Sequence, residues 1–225
     1  MISTRCALIN SSDRLLQGAV VDAADRQGAT PAILFVHGLQ SDQKSYVYRA
    51  ERTVRALRCR CLRFDLSGHG AQKADFASYS ISDHLEDVVA AYDYLAQQEG
   101  TDPVRIGACG ASYGAYLVAL LTRRRHLKRL VLRAPALFSD ISISSPEDHE
   151  SSSFDSLAAV AEFAGDILIV ESECDDAIPR SNITSYLNAC RHPSHEVIPR
   201  ARHALDEPAW DEAFISFLTR WFEAL

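Results

Sequence analysis

Several patterns that mark other classes of protein are missing from this chain of 225 residues. No apolar run approaches the ~20 residues that a membrane-spanning helix needs, and residues 1–10 lack a long apolar stretch before a small-residue cleavage site. The six cysteines contain no C-x-x-C pair, the spacing typical of metal and redox sites. These absences predict a cytoplasmic protein with free thiols, no metal site and no membrane insertion.

Positive charge is also in deficit, since 23 Lys and Arg stand against 30 Asp and Glu, for a net charge of −7. This balance argues against nucleic acids and anionic membranes as main partners. A basic run at 123–129 falls where a helix should end, and cations stabilise the carboxyl end of a helix. We interpret this run as a solvated helix end in preference to a binding site.

Apolar strands alternate with helical stretches along the chain, and no repeat, linker or compositional break divides residues 1–225. After a hairpin of 4–9 and 14–22, strands are predicted at 31–36, 59–65, 103–108, 130–132, 166–171 and 195–199. Helices are predicted at 44–57, after an N-cap signal at Ser80, and at 113–121, 180–190 and 208–225. This alternation predicts one α/β domain with a mostly parallel sheet and helices on both faces. Charges in 59–65 suggest a less central strand, and 136–163 breaks the rhythm, which predicts a small cap.

The run Gly110-Ala111-Ser112-Tyr113-Gly114 fits G-x-S-x-G and lies between a predicted strand and a predicted helix. In this motif the serine sits on a strained strand-to-helix turn that exposes its hydroxyl. The glycines leave room for the close packing of strand, turn and helix. Ser112 is therefore the candidate nucleophile, while Cys109, at the strand end, is interpreted as a packing residue.

A serine nucleophile needs a base and a third group that orients the base. Asp175 follows the strand at 166–171, and His203 is the histidine that follows the last predicted strand. Loops after parallel strands meet at one edge of the sheet, so these side chains should converge on Ser112. We prefer Asp175 to Asp176 because it lies four residues before Pro179, which begins the next helix. Asp176 is then an exposed loop acid or a helix cap.

The negative charge that develops on a substrate carbonyl needs preorganised N–H donors. One candidate is the N–H of Tyr113, directly after the nucleophile, and the other is Leu39, in the turn that begins with His37-Gly38. His37 is interpreted as a turn-stabilising side chain with no role in proton transfer. His84 and His126 fall on predicted helices, where we expect surface or cap positions.

These motifs together resemble the α/β-hydrolase family over nearly the whole chain. The segments that carry the resemblance are His37-Gly38-Leu39, the run 64–70 (Phe-Asp-Leu-Ser-Gly-His-Gly), 110–114, 175–179 and 202–205. The most similar branches are small serine esterases and thioesterases with short caps, and serine aminopeptidase-like enzymes. Serine at 112 makes the chain less similar to dienelactone hydrolases, and Ser172 stands where the family usually has glycine.

The resemblance implies an eight-stranded, mostly parallel sheet with Ser112 as nucleophile, Asp175 as acid and His203 as base. It also implies an oxyanion hole from Leu39 and Tyr113. We therefore expect a serine hydrolase that cleaves a small carboxylic ester or thioester through an acyl-enzyme, without a metal or organic cofactor. A serine peptidase would use the same residues, and a non-catalytic ligand-binding protein on this fold remains a further alternative.

The predicted cap should govern substrate choice, because it follows the elbow and interrupts the regular pattern. Its apolar residues are Phe138, Ile141, Ile143 and Phe154. Two interpretations are equally open for them. They either line a fairly open acyl site or anchor the cap to the core.

Overall fold

Among the residues that the computed structural model describes, the chain forms eight strands and six α-helices. Described are residues 2–10, 12–24, 28–70, 78–142 and 152–225. The strands are β1 (Ile2–Ile9), β2 (Leu15–Asp22), β3 (Thr30–Val36), β4 (Arg60–Phe64), β5 (Thr101–Ala111), β6 (Arg129–Arg133), β7 (Asp166–Ser172) and β8 (Pro193–Ile198). The α-helices are α1 (Val47–Leu57), α2 (Ile81–Gln97), α3 (Tyr113–Leu121), α4 (Ser156–Glu162), α5 (Arg180–Ala189) and α6 (Pro208–Phe222). Short 3₁₀ turns lie at Gln43–Tyr46, Phe138–Asp140 and Ser152–Phe154.

All eight strands join one sheet in the order β1-β2-β4-β3-β5-β6-β7-β8. The leading hairpin is antiparallel, and β2 is antiparallel to β4. From β4 onward every neighbouring pair is parallel. Parallel neighbours need long crossovers, which the helices supply. The prediction of a mostly parallel, eight-stranded sheet is confirmed.

Side chains on the two faces of the sheet pack into two apolar cores. Along β3, Ala32, Leu34 and Val36 belong to the core that α2, α3, α4 and α5 cover. Ile33 and Phe35 belong to the opposite core, which α1 and α6 cover. A strand buried on both faces needs an unbroken apolar sequence, as β3 has. Helices therefore cover both faces, as predicted.

The fourth strand lies deeper in the sheet than its charges suggested. β4 sits between β2 and β3, so the expectation of a less central strand at 59–65 is wrong. Arg60 is buried and pairs with Asp22 at 2.9 Å, and its Nη1 donates to Thr101 Oγ1 at 2.8 Å. Because its charge is compensated within the sheet, an arginine is tolerated on an interior strand.

Two tyrosine hydroxyls hold the segment that follows β6. Tyr186 donates to the Ala136 carbonyl oxygen at 2.9 Å, and Tyr116 donates to the Phe154 carbonyl oxygen at 2.6 Å. These bonds attach both ends of the predicted cap to buried helices. Ile143 lies outside the described residues.

Candidate active site

Ser112 occupies a strained turn between β5 and α3. Its φ of 54° and ψ of −119° lie outside the regions that L-residues usually adopt. A Cβ on Gly110 would overlap the backbone of Gly114, and a Cβ on Gly114 would overlap the Val36 carbonyl oxygen. The Ser112 N–H donates to the Arg133 carbonyl oxygen at 2.9 Å, which ties the turn to β6. Both motif glycines are thus required by close backbone packing.

The imidazole of His203 meets the carboxylate of Asp175. Its Nδ1 lies 3.0 Å from both Asp175 oxygens, and the Asp175 side chain is 8% exposed. Since a carboxylate only accepts hydrogen bonds, Nδ1 carries the proton, and Nε2 is the nitrogen that can accept one.

The loop around Asp175 stabilises its charged form. Burial raises the pKa of this carboxyl, but hydrogen bonds from His203 and from the N–H groups of Ile178 and Ala177 outweigh burial, so the pKa lies below its usual value. Asp176 contacts the backbone of His203 and not its ring, since Asp176 Oδ1 accepts a hydrogen bond from the His203 backbone N–H at 3.3 Å. Of the two adjacent acids, Asp175 is therefore the one whose carboxylate contacts the imidazole ring.

Ser112 and His203 line one cleft of about 560 Å³ at the carboxyl ends of the parallel strands. Its walls come from the turn after β3, the start of α1, the end of β6 and the loop before α6. The lining residues are Gly38, Leu39, Ser41, Lys44, Ser45, Tyr46, Tyr48, Arg49, Ala111, Ser112, Arg133, His203, Ala204, Leu205, Asp206 and Asp211. The candidate nucleophile and the candidate base thus open onto the same space.

The two candidate oxyanion donors flank Ser112. Gly38 lies against the elbow, because a Cβ there would be 3.5 Å from Ser112 Cβ and 3.3 Å from the Ala111 carbonyl oxygen. Leu39 follows and lines the cleft. Tyr113 is the first residue of α3, the end of a helix at which the dipole favours negative charge.

His37 stabilises the turn that carries Leu39. Its Nε2 accepts the Leu66 N–H at 3.1 Å, and its Nδ1 donates to the Gly38 carbonyl oxygen at 2.8 Å. Burial lowers its pKa to about 3. A buried, neutral ring with both nitrogens engaged agrees with the interpretation of His37 as a turn-stabilising side chain.

His84 departs from the expected surface or cap position. α2 begins at the predicted N-cap, Ser80, but His84 is fully buried. Its Nε2 donates to the Ser67 carbonyl oxygen at 2.9 Å, so its Nδ1 accepts the Tyr113 hydroxyl at 3.0 Å. Burial lowers the pKa of His84 to about 4. One signal was present, since His84 lies three residues after Ile81 on the buried stripe of α2.

The apolar cap residues lie away from the described cleft. Ile141 is buried in the core beside α2 and α3, and Phe138 and Phe154 pack against that core. None of the three lines the cleft that holds Ser112, and Ile143 lies outside the described residues. Their packing agrees with the interpretation that these residues anchor the segment.

The described part of the chain lacks two further kinds of functional feature. It contains no group of three or more His, Cys, Asp or Glu side chains able to hold a metal ion. No described helix is both long and apolar enough to span a membrane. All six cysteines are free thiols.

Proteins of known sequence or structure share this architecture. An uncharacterized protein of Mycobacterium tuberculosis is 26% identical over 232 residues, covering 96% of this chain and 79% of that protein. The esterase domain of a Rhodothermus marinus protein superimposes with a TM-score of 0.79 at 17% identity, over 100% of this chain and 99% of that one. A dienelactone hydrolase from Anabaena variabilis gives a TM-score of 0.77 at 22% identity, over 99% and 98%. The two superpositions establish a shared fold.

The sequence itself assigns the family. Residues 33–165 match the model of the Alpha/beta hydrolase family. The matched region runs from β3 to the end of α4 and includes the elbow at Ser112. Because this match spans more than half of the chain, the protein belongs to the alpha/beta hydrolase family.

Proposed function

We propose that the protein is a serine hydrolase that cleaves a carboxylic ester or thioester through Ser112, His203 and Asp175. The observation that carries this proposal is the pairing of His203 Nδ1 with Asp175 at 3.0 Å, at a cleft that both Ser112 and His203 line. Membership of a hydrolase family and the strained elbow support the same assignment.

The reaction proceeds in two balanced halves. The Ser112 oxygen attacks the acyl carbonyl while His203 Nε2 takes the serine proton, and Asp175 stabilises the imidazolium. The N–H groups of Leu39 and Tyr113 stabilise the carbonyl oxygen as it becomes negative. His203 then protonates the leaving alcohol or thiol, which leaves an acyl-serine. Water, deprotonated by His203, attacks the acyl-serine and releases the acid, and the proton returns to Ser112.

Ser112→Ala tests the proposal against 4-nitrophenyl butyrate. We expect kcat to fall by at least ~10⁴-fold because no other group can form the acyl-enzyme. The melting temperature should change little, since the substitution removes only one hydroxyl group. Ser216→Ala, an exposed serine of α6, is the matched control and should keep full activity. Retained turnover in Ser112→Ala would overturn the assignment.

Two further measurements separate the alternatives. A fluorophosphonate probe should label wild type at Ser112 and leave Ser112→Ala unlabelled, whereas a non-catalytic binding protein would not be labelled at all. A peptidase would hydrolyse aminoacyl 4-nitroanilides at a measurable rate, in addition to activated esters. We expect turnover of 4-nitrophenyl esters and no turnover of the anilides.

A further inference from the structure

Arg133 places a buried cation beside the candidate nucleophile. It is the last residue of β6, pairs in register with Ala111 and accepts the Ser112 N–H on its own carbonyl oxygen. Arg133 lines the same cleft as Ser112, although the residue is only 5% exposed. The charge is therefore held close to the reacting serine and largely away from solvent.

Only part of the Arg133 guanidinium is satisfied by the protein. Nη1 donates to the His203 carbonyl oxygen at 2.8 Å and to Ser172 Oγ at 3.2 Å. The buried Nε–H has no partner, and within the described residues Nη2 donates to no group and no carboxylate forms an ion pair with Arg133. A guanidinium has five N–H donors, so the two on Nη2 remain available to a ligand, while the Nε–H stays buried.

A buried charge without an opposite charge is costly, so its presence calls for a partner. Burial lowers the pKa of Arg133, although a guanidinium stays protonated at neutral pH. The nearby Asp175 carboxylate is already engaged by His203. The positive charge of Arg133 is thus only partly compensated, and Arg133 lines the cleft in which we expect the substrate to bind.

The other charges of the cleft are paired or solvated. Arg49 binds Asp211 at 2.6 Å, and Asp206 binds Arg202 at 2.7 Å. The Lys44 side chain is 84% exposed and reaches Asp42 only at 4.0 Å. Arg133 is therefore the buried cation of this cleft whose charge remains uncompensated. Asp206 and Asp211 also line the cleft and disfavour a substrate group with more than one negative charge.

We propose, on the basis of the proposed serine hydrolase activity, that Arg133 forms an anion subsite and that the substrate is an ester or thioester bearing a carboxylate. The carboxylate accepts hydrogen bonds from Nη2, and the planar guanidinium suits a carboxylate better than an ammonium does. This places the acyl bond within reach of Ser112, and Arg133 becomes a specificity-determining residue.

The wild-type enzyme gives the first test, with two esters of equal carbon number. We compare 4-nitrophenyl hydrogen adipate with 4-nitrophenyl hexanoate, after subtraction of spontaneous hydrolysis, and expect about tenfold higher kcat/KM for the adipate monoester. A second pair, 3-acetoxybenzoate against phenyl acetate, carries the carboxylate on the leaving group. A preference in either pair supports the subsite and locates it on the acyl or the alcohol side. Absence of a preference in both pairs overturns it.

Variants separate a binding role from a structural one. Arg133→Met should lower the charged-to-neutral ratio of kcat/KM about tenfold or more, and Arg133→Lys should restore part of it. Lys44→Met, which removes an exposed cation at the same cleft, should change the ratio less than about threefold. Equal loss on both esters in Arg133→Met would show that Arg133 only positions the His203 loop. An equal drop in Lys44→Met would show a general field instead of a site.

The two proposals fail in different ways. If neither ester is hydrolysed and the fluorophosphonate probe does not label Ser112, the serine hydrolase proposal is wrong. If the hexanoate ester is hydrolysed and Ser112 is labelled, but no carboxylate preference exists, only the anion subsite is wrong.

Discussion

Replacing Asp175 with Asn changes one atom at the point where the structure assigns the orientation of His203. Asp175 Oδ1 accepts two backbone hydrogen bonds, from the Ala177 N–H at 3.0 Å and from the Ile178 N–H at 2.8 Å. An asparagine oxygen can keep both of these bonds, so the loop should stay folded. The amide nitrogen then takes the place of Oδ2, which lies 3.0 Å from His203 Nδ1.

That exchange sets the amide N–H against the N–H of His203 Nδ1, which keeps only Oδ1, also 3.0 Å away, as an acceptor shared with two backbone N–H groups. His203 escapes the conflict by moving its proton from Nδ1 to Nε2, and a protonated Nε2 cannot accept the proton of Ser112. The wrong tautomer and the loss of the charge that stabilises the imidazolium together reduce kcat by about 10⁴-fold in triads of this type. We expect a fall of that order, with KM changed only a few-fold, because substrate contacts are untouched.

Steady-state hydrolysis of 4-nitrophenyl butyrate at pH 8 measures the effect, and Asp176→Asn is the matched control. An amide oxygen at 176 can still accept the His203 backbone N–H, so kcat should fall less than about tenfold. If Asp175→Asn keeps more than a tenth of wild-type kcat, or Asp176→Asn is the more damaging variant, the assignment of Asp175 is refuted.

Three further predictions concern the support of the site. Folding lowers the pKa of His37 to about 3 and that of His84 to about 4. Between pH 7 and pH 5 both rings therefore become protonated in the unfolded chain but stay neutral in the folded one. The free energy of unfolding should therefore drop by about 4 kcal/mol between pH 7 and pH 5, and equal values in urea titrations at both pH values would contradict this. Tyr113→Phe removes the hydroxyl that donates a hydrogen bond to His84 Nδ1 and should lower the free energy of unfolding by about 1–3 kcal/mol in the same assay. An unchanged urea midpoint would show that this hydrogen bond is dispensable. Gly114→Ala drives a Cβ into the Val36 carbonyl oxygen and should cost at least ~3 kcal/mol or prevent folding, whereas a wild-type melting temperature would disprove the packing argument.

The sequence predicted the sheet well because buried parallel strands and amphipathic helices have different periods. β3 could be recognised from its unbroken apolar run, and α2 from the N-cap at Ser80, which forms a capping box with Asp83. The position of β4 could not be predicted from its own residues. The charge of Arg60 is compensated by Asp22 on a neighbouring strand, and that pairing exists only in the folded sheet.

For the site, motif order predicted more than any single motif. Asp175 and His203 were placed by the strands that they follow, and their contact follows from the parallel sheet. The expectation of a surface or cap position for His84 is wrong because the residue lies on the face that α2 buries. The location of the cleft beside α1 and α6 was not foreseen either, since it depends on which face of the sheet the loops leave open.

The two ends of β6 show how a charged residue on a buried strand acquires a role. Arg129, at the amino end, pairs with Asp166 at 2.8 Å, so its charge is used within the sheet. Arg133, four residues later at the carboxyl end, has no such carboxylate among the described residues and lies where Ser112 and His203 meet. Both arginines look alike in the sequence, and only the partner distinguishes them. Because ligands bind beyond the carboxyl ends of parallel strands, an uncompensated charge at that end is a specificity signal, whereas a paired charge at the other end is a packing feature.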